Sequence, residues 1–192
     1  MSGRQAKLIA PAVLQRVLRH VKSHPYPLRS RAIILLSAKA GLRAAEIARL
    51  EWPMVLDANG KVGQSMAIED RIAKKKSGRR IPIHPALRLT LVRLHRQTKC
   101  LDGPVIRSRQ GGPMRPNSIV NWFIALYAEL ELKGCSSHSG RRTFVTQAAR
   151  LIHKAGGSLR DVQLLAGHRS IETTQRYIDG DTSIQRRLIA LL

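Results

Sequence analysis

One stretch of the chain is apolar on almost every face of a helix. Residues 30–39 read SRAIILLSAK, and Gly41, a typical helix C-cap, follows two positions later. A helix that is apolar all round is stable only when other elements cover it on every side. The sequence therefore predicts a buried helix here, surrounded by the rest of the domain.

Other segments show helical spacing of apolar residues or helix-start signals. Pro at a first helical turn, Ser or Asn caps and the Ser158–Asp161 capping-box pattern mark where they start. Further helices are predicted to begin at or near Pro11, Ala44, Pro85, Asn117, Ser136 or Ser137, Ser158, Ile171 and Thr182.

Residues 65–83 have a different pattern. Met66, Ile68 and Ile72 lead into a basic turn, and Ile81 and Ile83 lead out of it, which is typical of two short strands. The predicted fold class is mainly α with a small antiparallel β-sheet (α+β). We expect one domain over residues 1–192, because no repeat or long linker divides the chain.

The charge balance indicates the kind of partner. Thirty-four lysines and arginines against 12 acidic residues give a net charge of +22, and nucleic acid is the polyanion we expect first. A membrane surface is disfavoured, because no lipidation signal or basic amphipathic face stands out. With two cysteines and no long apolar run, we expect a cytoplasmic protein that associates with the nucleoid when it binds DNA.

Three motifs carry side chains suited to phosphoryl transfer without a metal, which needs cations, an acid and a nucleophile. GLRAAE (41–46) places Arg43 at a helix boundary, with Glu46 able to orient its guanidinium. HSGR (138–141) places a histidine and an arginine three residues apart, on one face of a predicted helix. GHRSIETTQRY (167–177) places a histidine in a turn nine residues before a tyrosine. Alone, each of the first two also fits an ordinary basic helix end.

In this order and at these separations, the motifs resemble the tyrosine recombinase, or phage integrase, family over about residues 8–185. The resemblance implies the catalytic-domain fold of that family. Residue by residue, it implies that Arg43 is the first catalytic arginine, His138 and Arg141 the HxxR pair, His168 the second histidine and Tyr177 the nucleophile.

The family also has a lysine in a strand turn before an R.(I/V)P segment, and AKKKSGRRIP (73–82) has this form. Ungapped spacing from Pro82 selects Lys74, whereas a turn shorter by two residues selects Lys76. The basic residues predicted to contact DNA are Lys75, Lys76, Arg79, Arg80, Arg142 and Arg169.

The resemblance implies site-specific recombination of double-stranded DNA by an integrase, an excisionase-assisted recombinase or an invertase. Tyr177 would attack to leave a 3′-phosphotyrosine and a free 5′-hydroxyl, Lys74 would protonate the leaving oxygen, and no metal or other cofactor is expected. We expect a homotetramer on DNA, and a monomer or weak oligomer without it. Two alternatives stay open: a non-catalytic DNA-binding protein and a type IB topoisomerase-like enzyme.

The chain departs from the family pattern in two respects. Gly140 stands where the HxxR motif usually has a leucine, which predicts looser helix packing. The N-terminal DNA-clamping domain of the family does not precede residue 8, so we expect either a short recombinase or a catalytic domain alone. About residues 8–180 would form its core, and residues 181–192 a C-terminal helix that protomers exchange.

Overall fold

The computed structural model describes residues 5–73, 77–177 and 189–190, and over these ranges the protein is mainly helical. Short 3₁₀ turns occur at Val21–Ser23, Trp52–Met54 and Ile152–Ala155. In chain order the elements are α1 (Pro11–His20), α2 (Pro27–Ala40), α3 (Ala44–Ala48), β1 (Ser65–Ile68), β2 (Arg79–Pro82), α4 (Pro85–Thr98), α5 (Pro116–Glu129), α6 (Ser139–Leu151), α7 (Leu159–Ala166) and α8 (Ile171–Gln175).

Helix α2 is the centre of the domain, as its apolar sequence predicts. Every residue from Ala32 to Ala38 is buried, and α4 and α6 pack against it. The helix ends at Gly41, which takes the left-handed conformation (φ 65°) that the cap position requires. The α2 C-terminus thereby fixes the start of the GLRAAE segment.

The small sheet is also confirmed. Strands β1 and β2 pair antiparallel, with Ser65 opposite Pro82 and Ile68 opposite Arg79. Met66 and Ile81 face each other and are buried, as a period of two predicts. The predicted lysines, Lys74, Lys75 and Lys76, lie outside the described residues.

Two hydrophobic cores of unequal size stabilise the fold. The larger one surrounds α2 and includes Trp52 and Phe123. The smaller one lies between α6 and α7, has four buried members (Val145, Ala149, Val162 and Ala166) and is bordered by Tyr177. Because α6 also packs on α2, this helix joins the two cores.

Two predicted helix caps are wrong. Helix α5 begins two residues earlier than a cap at Asn117 predicts, at Pro116, so Asn117 lies in its first turn and Arg115 occupies the N-cap position. Helix α6 begins at Ser139 with His138 at its N-cap, rather than at Ser136 or Ser137. The capping box of α7 is confirmed, since the Ser158 backbone N–H donates to Asp161 at 2.8 Å.

The prediction of looser packing at Gly140 is also wrong. A Cβ added there would lie 2.3 Å from Oγ and 2.9 Å from Cβ of Ser37. The missing side chain therefore lets α6 approach α2 closely instead of leaving a gap.

The predicted C-terminal helix from Thr182 lies almost entirely outside the described residues, so its exchange between protomers stays a prediction. Within the described ranges, no helix is both long enough and apolar enough to cross a membrane.

Candidate active site

A cleft of about 380 Å³ opens beside the N-terminus of α6. All five described residues that the resemblance assigned to catalysis line it, although they come from positions as distant as 43 and 177. The lining residues are Arg43, His138, Arg141, His168 and Tyr177, together with Gln5, Ala6, Arg142, Thr173 and Arg176.

Arg43 is held by a carboxylate, as the sequence predicts. Its Nη1 donates to Oε1 of Glu46 at 2.9 Å, and its backbone N–H donates to Oε2 at 2.9 Å. The Arg43 side chain is 21% exposed and Glu46 only 1%. The acid is thus inside the protein, while the guanidinium reaches the cleft.

Glu46 also binds a second arginine. Nη1 and Nη2 of Arg79 donate to its two oxygens at 3.0 and 3.1 Å. Burial alone would raise the pKa of Glu46, but the hydrogen bonds and charges of Arg79 and then Arg43 outweigh it and hold that pKa below the usual value. Glu46 is therefore ionised at neutral pH, and a buried carboxylate fixes two guanidinium groups.

The prediction that Arg79 contacts DNA is wrong. Its side chain is 5% exposed, and besides Glu46 its Nε donates to the Leu165 carbonyl at the end of α7, at 2.9 Å. Arg79 therefore connects β2, α3 and α7 inside the protein. Its neighbour on the strand, Arg80, is exposed and remains a predicted phosphate contact.

Arg141 lies at the C-termini of two helices. Its guanidinium donates to the Gly41 carbonyl after α2 and to the Ala166 carbonyl at the end of α7, both at 2.6 Å. Helix C-terminal carbonyls lack intrahelical partners and carry partial negative charge, so they suit a cation. Burial, followed by the charge of Arg43, lowers the pKa of Arg141, but a guanidinium so basic stays protonated at neutral pH.

His168 is placed by the turn that ends α7. Gly167 takes a left-handed conformation (φ 62°), and a Cβ there would lie 2.9 Å from Cδ of Arg79. Both the backbone conformation and the lack of space therefore favour glycine at this position. His168 is 9% exposed, and its Nδ1 lies 2.9 Å from Oγ1 of the buried Thr174. Burial and then the charges of Arg141, Arg43 and Arg79 lower the pKa of His168 to about 4, so the ring is neutral at pH 7.

Tyr177 is the tyrosine of the cleft. It is half-buried two residues after α8, and its ring stacks on that of His168 with centroids 5.6 Å apart and an interplanar angle of 19°. Tyr127 is 4% exposed, with a pKa raised by burial. Tyr26 is exposed and lies under the guanidinium of Arg29, 4.1 Å from its ring centroid. Neither lines the cleft.

His138 is exposed at the N-cap of α6, just before the first helical residue, rather than inside a helix as predicted. It still shares the cleft with Arg141, because the helix starts with Ser139. Of the other predicted DNA contacts, Arg169 is exposed. Arg142 lines the cleft and donates to the Ala6 carbonyl.

Arg176 and Gln5 line the cleft but were not among the predicted site residues. Arg176 could have been found, because it directly precedes Tyr177. Gln5 could not have been found, because contacts between residues far apart in the sequence bring the segment before α1 to the cleft. One of these contacts is the hydrogen bond from Ile9 N–H to Thr143 Oγ1 of α6, at 2.8 Å.

Sequence comparison gives the family. The model for the Phage integrase family matches residues 7–183, and the chain belongs to this family. The tyrosine recombinase XerC of Mesorhizobium japonicum is 29% identical over 164 residues, which are 81% of this chain and 48% of that protein. XerC of Actinobacillus succinogenes is 31% identical over 172 residues, which are 84% of this chain and 52% of that protein. The chain thus spans about half the length of the curated relatives it matches.

Solved structures share the fold. The Tn1549 transposon integrase in complex with transposon right end DNA matches with a TM-score of 0.76 and 18% identity, over 97% of this chain and 66% of that one. XerA recombinase matches with a TM-score of 0.74 and 18% identity, over 100% of this chain and 65% of that one. A lambda integrase dimer bound to a COC′ core site matches with a TM-score of 0.68 and 20% identity, over 93% and 49%. The predicted tyrosine recombinase catalytic-domain fold is confirmed.

Proposed function

We propose that this chain is the catalytic domain of a site-specific recombinase that cleaves and rejoins double-stranded DNA through a 3′-phosphotyrosine at Tyr177. The observation that carries the proposal is one cleft that this tyrosine shares with the pre-positioned guanidinium groups of Arg43 and Arg141. The net charge of +22 supports DNA as the partner. The recombinases and integrases named above favour recombination over a topoisomerase or a non-catalytic DNA-binding protein.

In the proposed reaction, the Tyr177 oxygen attacks the scissile phosphorus and the bond to the 5′ oxygen breaks. Arg43 and Arg141 stabilise the negative charge that develops on the non-bridging oxygens. His138 accepts the phenol proton, because a protonated phenol is a poor nucleophile. The phosphodiester is conserved as a phosphotyrosine ester, and a later attack by a 5′-hydroxyl on this ester reverses the step and rejoins DNA.

The neutral state of His168 limits its role. A neutral imidazole has one N–H, and if Thr174 donates to Nδ1, the proton lies on Nε2. His168 is then a hydrogen-bond donor to a non-bridging oxygen, while its ring orients Tyr177 through the stacking contact. In the DNA-free chain His168 carries no positive charge at neutral pH, so the positive charge that meets the phosphate comes from the arginines.

Lys74 is proposed as the acid that protonates the leaving 5′ oxygen, with Lys76 as the alternative. We also propose phosphate contacts by Lys75, Lys76, Arg80, Arg142 and Arg169, and a homotetramer as the assembly on DNA. We further propose that the whole protein acts in the cytoplasm and associates with the nucleoid when it binds DNA.

The test is formation of a covalent adduct on DNA. A library of nicked duplexes with random sequence around the nick supplies substrate without knowledge of the target. Cleavage close to the nick releases a short fragment that carries the 5′-hydroxyl. Once this fragment has dissociated, the strand cannot be rejoined and the covalent adduct accumulates. The wild-type chain should give a denaturant-stable band whose DNA-linked peptide contains Tyr177. Tyr177→Phe should bind the same library without forming an adduct.

Tyr26→Phe is the matched control, because it removes the hydroxyl of an exposed tyrosine outside the cleft and should keep the adduct. An adduct in Tyr177→Phe would overturn the assignment of the nucleophile. If the wild-type chain binds the selected duplexes but never forms an adduct, the chain is a non-catalytic DNA-binding protein.

A further inference from the structure

Three side chains that can ligate a metal meet where α1 and α5 end, and none of them lines the cleft. His20 ends α1, His24 follows the 3₁₀ turn Val21–Ser23, and Glu129 ends α5. The Nε2 atoms of His20 and His24 lie 2.9 and 3.6 Å from the same Glu129 oxygen, Oε2. We propose that these residues bind a divalent transition-metal ion, with Zn²⁺ as the physiological candidate.

The distances fit such an ion. Tetrahedral zinc with ligands at 2.0–2.1 Å separates its donor atoms by about 3.4 Å. The two histidine–glutamate distances lie on either side of that value, and all three donor atoms lie within 4.8 Å of one another. The Glu129 side chain is 50% exposed and that of His20 33%, so both can rotate by the ångström needed without repacking the core.

The backbone that presents the ligands is anchored. Val21, between the histidines, is 1% exposed. Ser23 Oγ donates to the His20 carbonyl at 2.9 Å, and Arg16 Nη2 donates across to the Leu130 carbonyl, just after Glu129, at 2.7 Å. The ring of Trp122 meets that of His24 edge-on at 6.4 Å. Such support reduces the entropy that a metal must overcome to order its ligands.

The chemistry of the donors selects the class of ion. Two imidazoles and one carboxylate suit zinc, nickel, cobalt or copper, whereas magnesium and calcium prefer oxygen donors alone. Three protein ligands leave a coordination position for water. A bound ion would join the end of α1 to the end of α5, and α1 follows directly on the segment whose Gln5 and Ala6 line the cleft.

The test is metal binding by the untagged, chelator-treated full chain. Calorimetric titration with zinc sulfate should give one site per chain, and magnesium chloride should give none. His20→Ala, His24→Ala and Glu129→Gln should each weaken zinc binding by about tenfold or more. His153→Ala, which removes an exposed histidine outside the cluster, should bind zinc as wild type does.

A second measurement tests the location without altering a ligand. Nickel should quench the fluorescence of Trp122 beside His24, and Trp122→Phe should lose most of this quenching because the other tryptophan, Trp52, is fully buried elsewhere in the core. Absence of zinc binding by the wild-type chain would overturn the proposal. Equal weakening in His24→Ala and His153→Ala, or equal binding of magnesium, would also overturn it.

Discussion

The arginines of the cleft and its tyrosine are held by different means. Arg141 is 4% exposed and spans the C-termini of two helices, and Arg43 is fixed by a carboxylate that is itself buried. Tyr177 follows a five-residue helix and borders the smaller core. Its ring stacks on His168, its backbone N–H donates to the Thr174 carbonyl at 3.1 Å, and its backbone carbonyl accepts a 3.5 Å hydrogen bond from Thr146 Oγ1.

This difference separates two requirements of the proposed chemistry. Charges that stabilise a transition state are most effective when they are fixed before the substrate arrives, because no reorganisation is then needed. A nucleophile needs to be in place only at the moment of attack, and a short helix on a small core can move at little cost. We expect changes in the arginine network to affect stability strongly, and changes around Tyr177 to affect it weakly.

The largest effect is expected from Glu46→Gln. This change leaves two guanidinium groups, one of them 5% exposed, without their anion. Removing one partner of a buried ion pair costs about 3–5 kcal/mol, so the free energy of unfolding should fall by that amount. Urea unfolding at pH 7, followed by circular dichroism, measures it.

Glu51→Gln is the matched control, since Glu51 pairs with Arg71 at 2.8 Å with side chains 37% and 52% exposed. This exposed pair should contribute less than about 1 kcal/mol. Equal losses in the two variants would show that the buried network does not fix the arginines. The proposed difference between the firmly held arginines and the weakly held Tyr177 would then be wrong.

This network also shows where sequence reasoning stops. The Arg43–Glu46 contact was predictable because its partners are three residues apart at a helix start. Arg79 was misassigned because its partners, Glu46 and Leu165, are 33 and 86 residues away. A basic residue beside other basic residues resembles a phosphate contact until the packing shows a buried carboxylate.

The fold follows the same division. The burial of α2, the alternation in β1 and β2 and the capping box of α7 depend on neighbouring residues, and all were predicted. Packing at Gly140 depends on Ser37, more than 100 residues earlier in the chain, and was predicted with the wrong sign. Sequence motifs identified five residues of the cleft and the neighbouring partner Glu46, but not the distant partners of Arg79 and Arg141.

The second prediction concerns His168, which stacks on Tyr177 and is close enough to Arg141 and Arg43 for their charges to affect it. Its pKa is lowered from 6.5 to about 4 in the folded chain, so the unfolded chain binds more protons between these values. The contribution of His168 to the free energy of unfolding should therefore be constant well above pH 6.5 and decrease as the pH falls from 6.5 to 4. One fully unmatched proton changes it by about 1.4 kcal/mol per pH unit, which limits the loss to about 3 kcal/mol.

Comparison with His168→Asn isolates this effect, because asparagine can accept the hydrogen bond from Thr174 but does not titrate. As the pH falls from 6.5 to 5, the unfolding free energy of the wild type should decrease relative to that of the variant by about 1 kcal/mol per pH unit. Parallel pH profiles would mean that the pKa of His168 is the same in the folded and the unfolded chain. The ring would then become charged as the pH falls below about 6.5, and only there would positive charge extend to Tyr177.

The smallest effect, and the one whose sign is most informative, is expected from Gly140→Ala beside Arg141. Alanine is the better helix former by about 1 kcal/mol, so a loosely packed site would be stabilised. The new Cβ would instead lie 2.3 Å from Ser37 Oγ, and overpacking costs about 1–3 kcal/mol. We therefore expect a net decrease in the free energy of unfolding, measured with urea.

Ser37→Ala should restore part of this stability in the Gly140→Ala chain, because it removes the nearest atom. Gly112→Ala is the control: a Cβ there has nothing within 4 Å, so stability should change by less than about 0.5 kcal/mol. If Gly140→Ala stabilises the chain, the close approach of α6 to α2 does not constrain Arg141, and its rigidity must come from its two helix carbonyls alone.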